Sequence, residues 1–340
     1  MEKPKVKVIL AGGTICQKKG VDGILRPSDE NYLSRVEKLD SLADISIETL
    51  RAIDSTNMET RDRKEFVRII KDSHKEFDGF VIVQGTDSMA DSACAINYMI
   101  QNLGKPIVFT GSQISIYEPG TDARINVYNA VKTSTTNLGE TVISFGQKII
   151  RGSRAIKEDE RGINAFASPK APLIGRIGAG IDFSEGYIKR HGGNPVFFTD
   201  FEEGVEFFQQ TSGSKNNLLE KIIEEEEVKG IVLGGFGAGN VMDKYIPSIE
   251  KATQMGKPIV VITSCHKGFA DMEIYEVGSN ALKAGAIGGY DLTRESASQK
   301  LMYALGKANQ TDFKGRDKVE FVRGIIKKEI GKDINLNPTI

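Results

Sequence analysis

Short β-rich runs, each closed by a turn containing Gly or Thr and followed by a stretch of helical periodicity, recur along the whole chain, and this alternation admits few folds. The runs are residues 6–10 before Ala11-Gly12-Gly13-Thr14, 80–83 before Gln84-Gly85-Thr86-Asp87, 107–109 before Thr110-Gly111-Ser112, and 142–145. Residues 231–233 before Gly234-Gly235-Phe236-Gly237 and 259–263 before Ser264-Cys265 follow in the second half. Between them, Phe66, Ile69, Ile70 and Phe77 mark one amphipathic helix, and Leu218, Leu219, Ile222 and Ile223 another. Strands alternating with helices predict an α/β fold whose sheets are mainly parallel and flanked by helices. The rhythm breaks across 189–204, where Gly192-Gly193-Asn194-Pro195 and an acidic cluster stand. The 340 residues therefore divide into a larger N-terminal α/β domain (1–188), a linker (189–204) and a smaller C-terminal α/β domain (205–340). Open α/β sheets bind ligands at the carboxyl ends of their strands, so chemistry is to be sought in the turns just named. The acidic run 224–227 follows an apolar stripe directly and reads as the solvated end of a helix.

Composition removes several functions. With 45 Lys plus Arg against 46 Asp plus Glu the formal charge is −1, which offers no basic footprint for tracking phosphates, so no nucleic-acid partner is expected. No membrane partner is expected either, because apolar runs such as Ile259-Val260-Val261-Ile262 fall far short of the ~20 residues a bilayer-spanning helix needs. Residues 1–5 lead directly into alternation without a hydrophobic export segment. Three cysteines, Cys16, Cys94 and Cys265, match no zinc or disulfide spacing, and together these features predict a cytoplasmic protein with free thiols. None of the Gly-Lys pairs, at Gly104, Gly256, Gly306 and Gly331, completes a P-loop, and Gly235-Phe236-Gly237-Ala238-Gly239-Asn240 has Asn where a dinucleotide fingerprint needs its third Gly. His74, His191 and His266 are isolated and lack the spacing of metal ligands. Neither a metal nor an organic cofactor is expected.

Two strand-end turns are more specific. Gly12-Gly13-Thr14-Ile15 and Gln84-Gly85-Thr86-Asp87-Ser88 each place a Thr hydroxyl at a carboxyl end. A hydroxyl becomes a nucleophile when a neighbouring base takes its proton and N–H groups stabilise the oxyanion that forms. Glycines beside it let a substrate approach the backbone. Gly-Thr after a strand is also ordinary turn chemistry, so the weight lies in finding two such turns in one domain, the second adjoining an Asp.

At these positions the chain resembles the L-asparaginases, more closely the bacterial cytoplasmic (type I) group, with the asparaginase-like subunit of archaeal Glu-tRNA amidotransferase as a relative. The blocks are Leu10-Ala11-Gly12-Gly13-Thr14-Ile15, Asp54-Ser55-Thr56-Asn57-Met58, the stretch from Asp78 to Met89 containing Gln84-Gly85-Thr86-Asp87-Ser88, and Asn102 to Gln113 with Thr110-Gly111-Ser112-Gln113. Arg151-Gly152-Ser153-Arg154-Ala155-Ile156-Lys157, Ala165-Phe166-Ala167-Ser168-Pro169 and Gly237-Ala238-Gly239-Asn240 complete the series in the family's order.

The resemblance implies a two-domain asparaginase-like fold and hydrolysis of L-asparagine to L-aspartate and ammonia through a threonine-based acyl-enzyme. It makes Thr14 the nucleophile, with Thr86, Asp87 and Lys157 as a second catalytic set. Lysine suits that place because its amine can take a proton, whereas a guanidinium cannot. Asp87 and Thr86 match substrate-binding positions, Asp87 holding the α-ammonium, and Asp54 and Ser55 match those that receive the α-carboxylate. One anion and one set of donors is what orienting a zwitterion requires. Which threonine attacks first stays open. The resemblance further implies a homodimer or homotetramer in which Gly239 and Asn240 line a partner's pocket. Cys265 lies where type I enzymes can bind an effector, but the residues favour core packing for it.

The chain departs from the family at three places. The loop after the first Thr usually supplies a Tyr about where Ile24 stands, and isoleucine cannot transfer a proton; Tyr32 is the nearest phenol. Gln84 occupies the usual place of His, and Ser88 that of Thr. Two rival functions accompany the leading one: an ammonia-releasing amidotransferase subunit, and a catalytically silent amino-acid-binding homologue that lost turnover with the loop Tyr. Preference between asparagine and glutamine is not legible.

Overall fold

Strand β1 (Lys5–Gly12) begins with lysines alternating against Val6 and Val8 and then becomes continuously apolar, so it leaves solvent and enters a sheet covered on both faces. It pairs in parallel with β2 (Asp44–Ile53) on one side and β3 (Gly79–Val83) on the other. β4 (Ile107–Thr110) and β5 (Thr141–Phe145) extend the parallel run. β6 (Lys148–Arg151), β7 (Gly175–Ile177) and β8 (Ile181–Phe183) then fold back antiparallel, giving an eight-stranded sheet in the order β8-β7-β6-β5-β4-β3-β1-β2. The structure, a computed structural model, describes residues 2–28, 32–215 and 217–336.

Among the described residues, three helices of more than ten residues accompany this sheet. In α1 (Thr60–Ser73), Phe66, Val67, Ile69 and Ile70 are buried, and its start is fixed by a capping box in which Asp62 accepts the Glu59 N–H at 3.0 Å. The helix ends before Phe77. α2 (Met89–Met99) is buried almost all round, and Cys94 packs there with its Sγ 3.3 Å from the Gly152 carbonyl oxygen. α3 (Ala123–Ser134) covers the sheet with Val127, Ala130 and Val131.

The chain forms two compact units, Met1–Phe197 and Phe198–Ile340. Residues just beyond 188 are tied to the first unit: the Arg190 guanidinium donates to the carbonyls of Asp78 (2.6 Å) and Thr136 (3.1 Å), and Val196–Phe197 pairs with Ile100–Gln101. The second unit carries β9 (Val205–Gln209), β10 (Gly230–Gly235), β11 (Ile259–Thr263) and β12 (Ile287–Gly288), all parallel and in that order. Alternate side chains face opposite cores. Val232, Val260 and Ile262 meet Leu301 and Leu305 of α7 (Arg294–Ala308), which follows α4 (Leu218–Glu224), α5 (Ile246–Gln254) and α6 (Glu276–Lys283). Leu233 and Val261 meet Leu219, Ile223 and Ile249 on the other face. Residues 224–227 are exposed at the end of α4, where Glu224 pairs with Lys251. Cys265 is not packed in a core as its sequence context suggests: it lies beyond the end of β11 and its thiol is exposed. The α/β architecture read from the sequence is the one observed, with the larger sheet in the N-terminal part.

The Gly-Lys-Pro triplets that failed as phosphate loops have matching structural roles. Lys105 donates to the carbonyls of His74 (2.6 Å) and Phe77 (2.7 Å), and Lys257 to those of Ile223 and Glu225 (both 2.7 Å). Each ammonium closes the carbonyl end of an earlier helix, α1 for Lys105 and α4 for Lys257, just before the strand that follows that helix. Burial lowers the pKa of both amines. Among the described residues no helix is long and apolar enough to cross a membrane.

Candidate active site

The carboxyl ends of β1 and β3 meet through glycines. Gly12 and Gly13 have φ of +91° and +89°, and a Cβ on Gly13 would come within 2.2 Å of the Gly85 nitrogen. A side chain there is excluded both by backbone conformation and by space. Gly85 is constrained by space alone, since its Cβ would approach Ser55 Oγ to 2.5 Å. The residues that follow these glycines, Thr14 and Thr86, thus leave from adjoining backbone, with Ser55 against the same floor. Thr14 is half-buried and opens a short 3₁₀ turn, Thr14–Cys16; Thr86 is buried.

Lys157 reaches this floor from a two-strand ladder in which Ile156–Lys157 pairs with Phe166–Ala167. Its Nζ donates to Thr86 Oγ1 at 2.9 Å and to Asp87 Oδ1 at 2.6 Å. The lysine side chain is 18% exposed and that of Asp87 60%. The amine is therefore sheltered while the carboxylate faces open space. Thr56 Oγ1 donates to the other carboxylate oxygen, Asp87 Oδ2, at 3.4 Å. Ser55 Oγ accepts the Asp87 main-chain N–H at 3.2 Å, and Ser88 Oγ donates to the Ser55 carbonyl at 2.6 Å. These bonds fasten the turn after β2 to the turn after β3.

Asp54 caps the 3₁₀ turn Ser55–Asn57, its Oδ1 accepting the Thr56 N–H at 3.0 Å, and its side chain is exposed beside Ser55. Gln84 is fully buried. Its Nε2 donates weakly to the Gly85 carbonyl at 3.4 Å while its Oε1 has no partner. Ile24 stands near the tip of a hairpin formed by Gln17–Lys19 and Leu25–Pro27, with its side chain 57% exposed. Tyr32 does not take the place of a loop tyrosine. It lies in the hydrophobic core with Ile15, Cys16 and Leu33, its phenol buried without a hydrogen-bond partner, and burial holds its pKa well above the usual value.

Sequence reasoning passed over two residues that the fold brings here. Thr56 lies in the run Asp54-Ser55-Thr56-Asn57-Met58, where no local pattern sets it apart, and its proximity to Asp87 arises only when β2 and β3 flank β1. Gln113 accepts the Thr86 hydroxyl at 3.1 Å and donates to the Glu160 carbonyl at 2.8 Å. Its position at the end of the run after β4 was the available signal.

A two-domain α/β protein that gathers hydroxyls, a carboxylate and a lysine amine at strand ends is equipped for nucleophilic chemistry. The chain belongs to the asparaginase family: residues 5–188 match the family model "Asparaginase, N-terminal" and residues 204–314 "Glutaminase/Asparaginase C-terminal domain". It is 32% identical over 336 residues to an L-asparaginase of Thermococcus kodakarensis, covering 97% of this chain and 99% of that protein. It is 30% identical over 323 residues to L-asparaginase 1 of Escherichia coli, covering 92% and 95% of the two chains. The solved structure of the thermostable Thermococcus kodakarensis L-asparaginase superposes with a TM-score of 0.86 at 30% identity, covering 98% of this chain and 100% of that one.

Proposed function

We propose that the protein hydrolyses L-asparagine to L-aspartate and ammonia through a covalent ester on threonine. The observation that carries this reading is the Lys157 Nζ shared between Thr86 Oγ1 at 2.9 Å and Asp87 Oδ1 at 2.6 Å, on a floor from which Thr14 also departs. Thr14 Oγ forms a bond to the side-chain amide carbon as the carbon–nitrogen bond breaks, and the Thr14 proton leaves with the nitrogen as ammonia. Water then adds to the ester; its hydroxyl completes the aspartate carboxyl group and its proton returns to Thr14. Thr86, Asp87 and Lys157 form the polar set that carries charge and proton through both steps. The exposed Asp87 carboxylate suits the substrate's α-ammonium. Ser55, whose oxygen already accepts an N–H, has its proton to offer the α-carboxylate, with Asp54 alongside.

In the same reading, residues 1–188 are the catalytic domain and 205–340 the C-terminal domain, and the enzyme works in the cytoplasm as a homodimer or homotetramer without metal or organic cofactor. Light scattering checks the assembly. The function is tested by ammonia release from L-Asn, L-Gln, D-Asn and short asparaginyl peptides. Turnover of L-Asn is expected, and a purified, folded protein inert toward the whole panel overturns the reading.

A further inference from the structure

Gln113 stands between two groups of different hydrogen-bonding character. Its Nε2 is 2.8 Å from the Glu160 carbonyl oxygen and its Oε1 is 3.1 Å from Thr86 Oγ1. A main-chain carbonyl only accepts, so the amide must turn its NH₂ toward Glu160, and this leaves its oxygen toward Thr86. Thr86 has one proton, and donates it to Gln113. The hydroxyl's lone pairs then receive Lys157, which donates to Thr86 at 2.9 Å and to Asp87 at 2.6 Å. The chain from Asp87 through Lys157, Thr86 and Gln113 to Glu160 therefore has a fixed sense, with protons directed outward from the ammonium at both ends.

We propose that Gln113 is a positioning residue of this site: by holding the Thr86 proton it keeps Thr86 an acceptor for Lys157, so that Thr14 is the hydroxyl that opens the reaction. This rests on the function proposed above. A Thr86 whose proton lies on Gln113 cannot pass that proton to lysine, as it would have to if it were the first nucleophile.

The surroundings hold Gln113 in place from both sides. The main-chain N–H groups of Gln113 and Ile114 donate to Asp122 at 3.0 and 2.9 Å, and Asn126 Nδ2 donates to the same buried carboxylate at 3.0 Å. The Glu160 carbonyl belongs to a turn fixed by Asp159, whose Oδ1 accepts the N–H groups of Arg161 (2.8 Å) and Gly162 (2.9 Å); these bonds lower the Asp159 pKa. Further along the same segment, the Ile116 N–H donates to the Ile15 carbonyl at 3.1 Å. One stretch of chain thus ties together the backbone after Thr14, the Thr86 hydroxyl and the loop after Lys157.

The test compares the unmodified enzyme with Gln113→Glu and Gln113→Met. Glutamate still accepts from Thr86 but cannot donate to Glu160; methionine does neither. The expected order of kcat is wild type, then Glu, then Met. The methionine variant should lose about 10- to 100-fold in kcat with KM changed less than about threefold, as befits loss of the charge-assisted bond from Lys157 to Thr86 once Thr86 is free to turn. A role confined to holding the Glu160 loop gives the opposite order of the two variants, because Glu sets a carboxylate against a carbonyl. Wild-type kcat in Gln113→Met, or Glu below Met, overturns the proposal. Crystal structures supply a readout independent of turnover: the amide should lie between Thr86 and Glu160 in the wild type, and Thr86 should turn in the Met variant. A wild-type Gln113 pointing elsewhere, or an unmoved Thr86, overturns the proposal even if the wild type proves inert to amides, the result that overturns the function itself. Should Gln113→Met fail to fold, a fall beyond about 100-fold in Gln113→Glu counts against the proposal.

Discussion

The larger, mainly parallel sheet and the smaller, all-parallel one share a plan and differ at their carboxyl ends. In each, a helix closed by the lysine of a Gly-Lys-Pro triplet precedes a strand, and that triplet opens the next strand. In the first unit the turns beyond the strands present Thr14 from backbone adjoining that of Thr86, and Thr86 and Asp87 are bonded to the Lys157 amine. In the second, the corresponding polar groups satisfy one another: Gln209 Nε2 donates to Ser264 Oγ at 3.0 Å, Thr263 Oγ1 donates to the Gly237 carbonyl at 2.5 Å, and Gln210 bonds the main chain at Asn240 (2.5 Å) and Met242 (3.1 Å). The difference teaches that this fold supplies a place for chemistry, while the presence of chemistry depends on what is left at the strand ends.

The sharpest way to break the comparison is to remove the first hydroxyl after β1 and after β9. Thr14→Ala should lower kcat by at least about 10³-fold while leaving the melting temperature nearly unchanged, because it deletes a nucleophile. Thr211→Ala, on an exposed turn, should leave turnover within about twofold, as expected of a surface change. Equal effects in steady-state assays would erase the distinction between the two sheets.

Each unit also contains a closely bonded buried ion pair. Arg151 Nε meets Glu140 Oε2 at 2.6 Å in the first, and Lys300 Nζ meets Asp333 Oδ2 at 2.7 Å in the second, with both partners of the latter fully buried. Glu140→Gln and Lys300→Met should each cost about 3–5 kcal/mol in denaturant unfolding, since each strands a buried charge. Here the two units should behave alike, and a loss below about 1 kcal/mol in either contradicts the burial argument.

Ile24→Tyr puts a phenol on the exposed hairpin after Thr14. We expect kcat/KM for L-Asn to rise about tenfold, a modest share of what a proton-transferring group can supply. No change would mean that the site operates without a phenol there. The smallest effect concerns the buried one. Tyr32→Phe should stabilise the protein by about 1 kcal/mol, because it removes a hydroxyl that burial leaves unbonded. Burial raises the folded-state pKa of this phenol above 10.0, so its contribution is full below that pH and is lost as pH climbs above it. The variant should therefore lose less stability than the wild type at strongly alkaline pH in thermal melts, with turnover unaltered.

The parallel strands β1, β3, β4, β5, β10 and β11 were legible because continuous apolar runs ending in Gly or Thr leave few other readings, whereas β2 and β9 mix charged with apolar residues, β12 has only two residues, and all three went unread. The antiparallel β6, β7 and β8 were not legible either: they are three or four residues long and include Lys148, Gly175, Arg176 and Asp182, so neither hydrophobic period stands out. The hairpin carrying Ile24 escaped for the same reason, its strands being Gln17–Lys19 and Leu25–Pro27. The α1 helix was legible from its apolar spacing, but Phe77 was not part of it because the helix ends at Ser73. For the site, Thr14, Thr86 and Asp87 announce themselves as strand-end residues. Lys157 lies 70 positions from Asp87 in the chain and was reachable only through resemblance. Gln113 and Thr56 act through side-chain contacts that exist only after the strands are ordered, which no local pattern encodes.

The central claim is that an ester forms on the threonine next to Gly13. Acid-quenching the enzyme during turnover of isotopically labelled L-asparagine and mapping the bound label by peptide mass spectrometry tests it directly. The account predicts an aspartyl group on the peptide containing Thr14. Label on the Thr86 peptide instead, or steady ammonia release by Thr14→Ala, would contradict it.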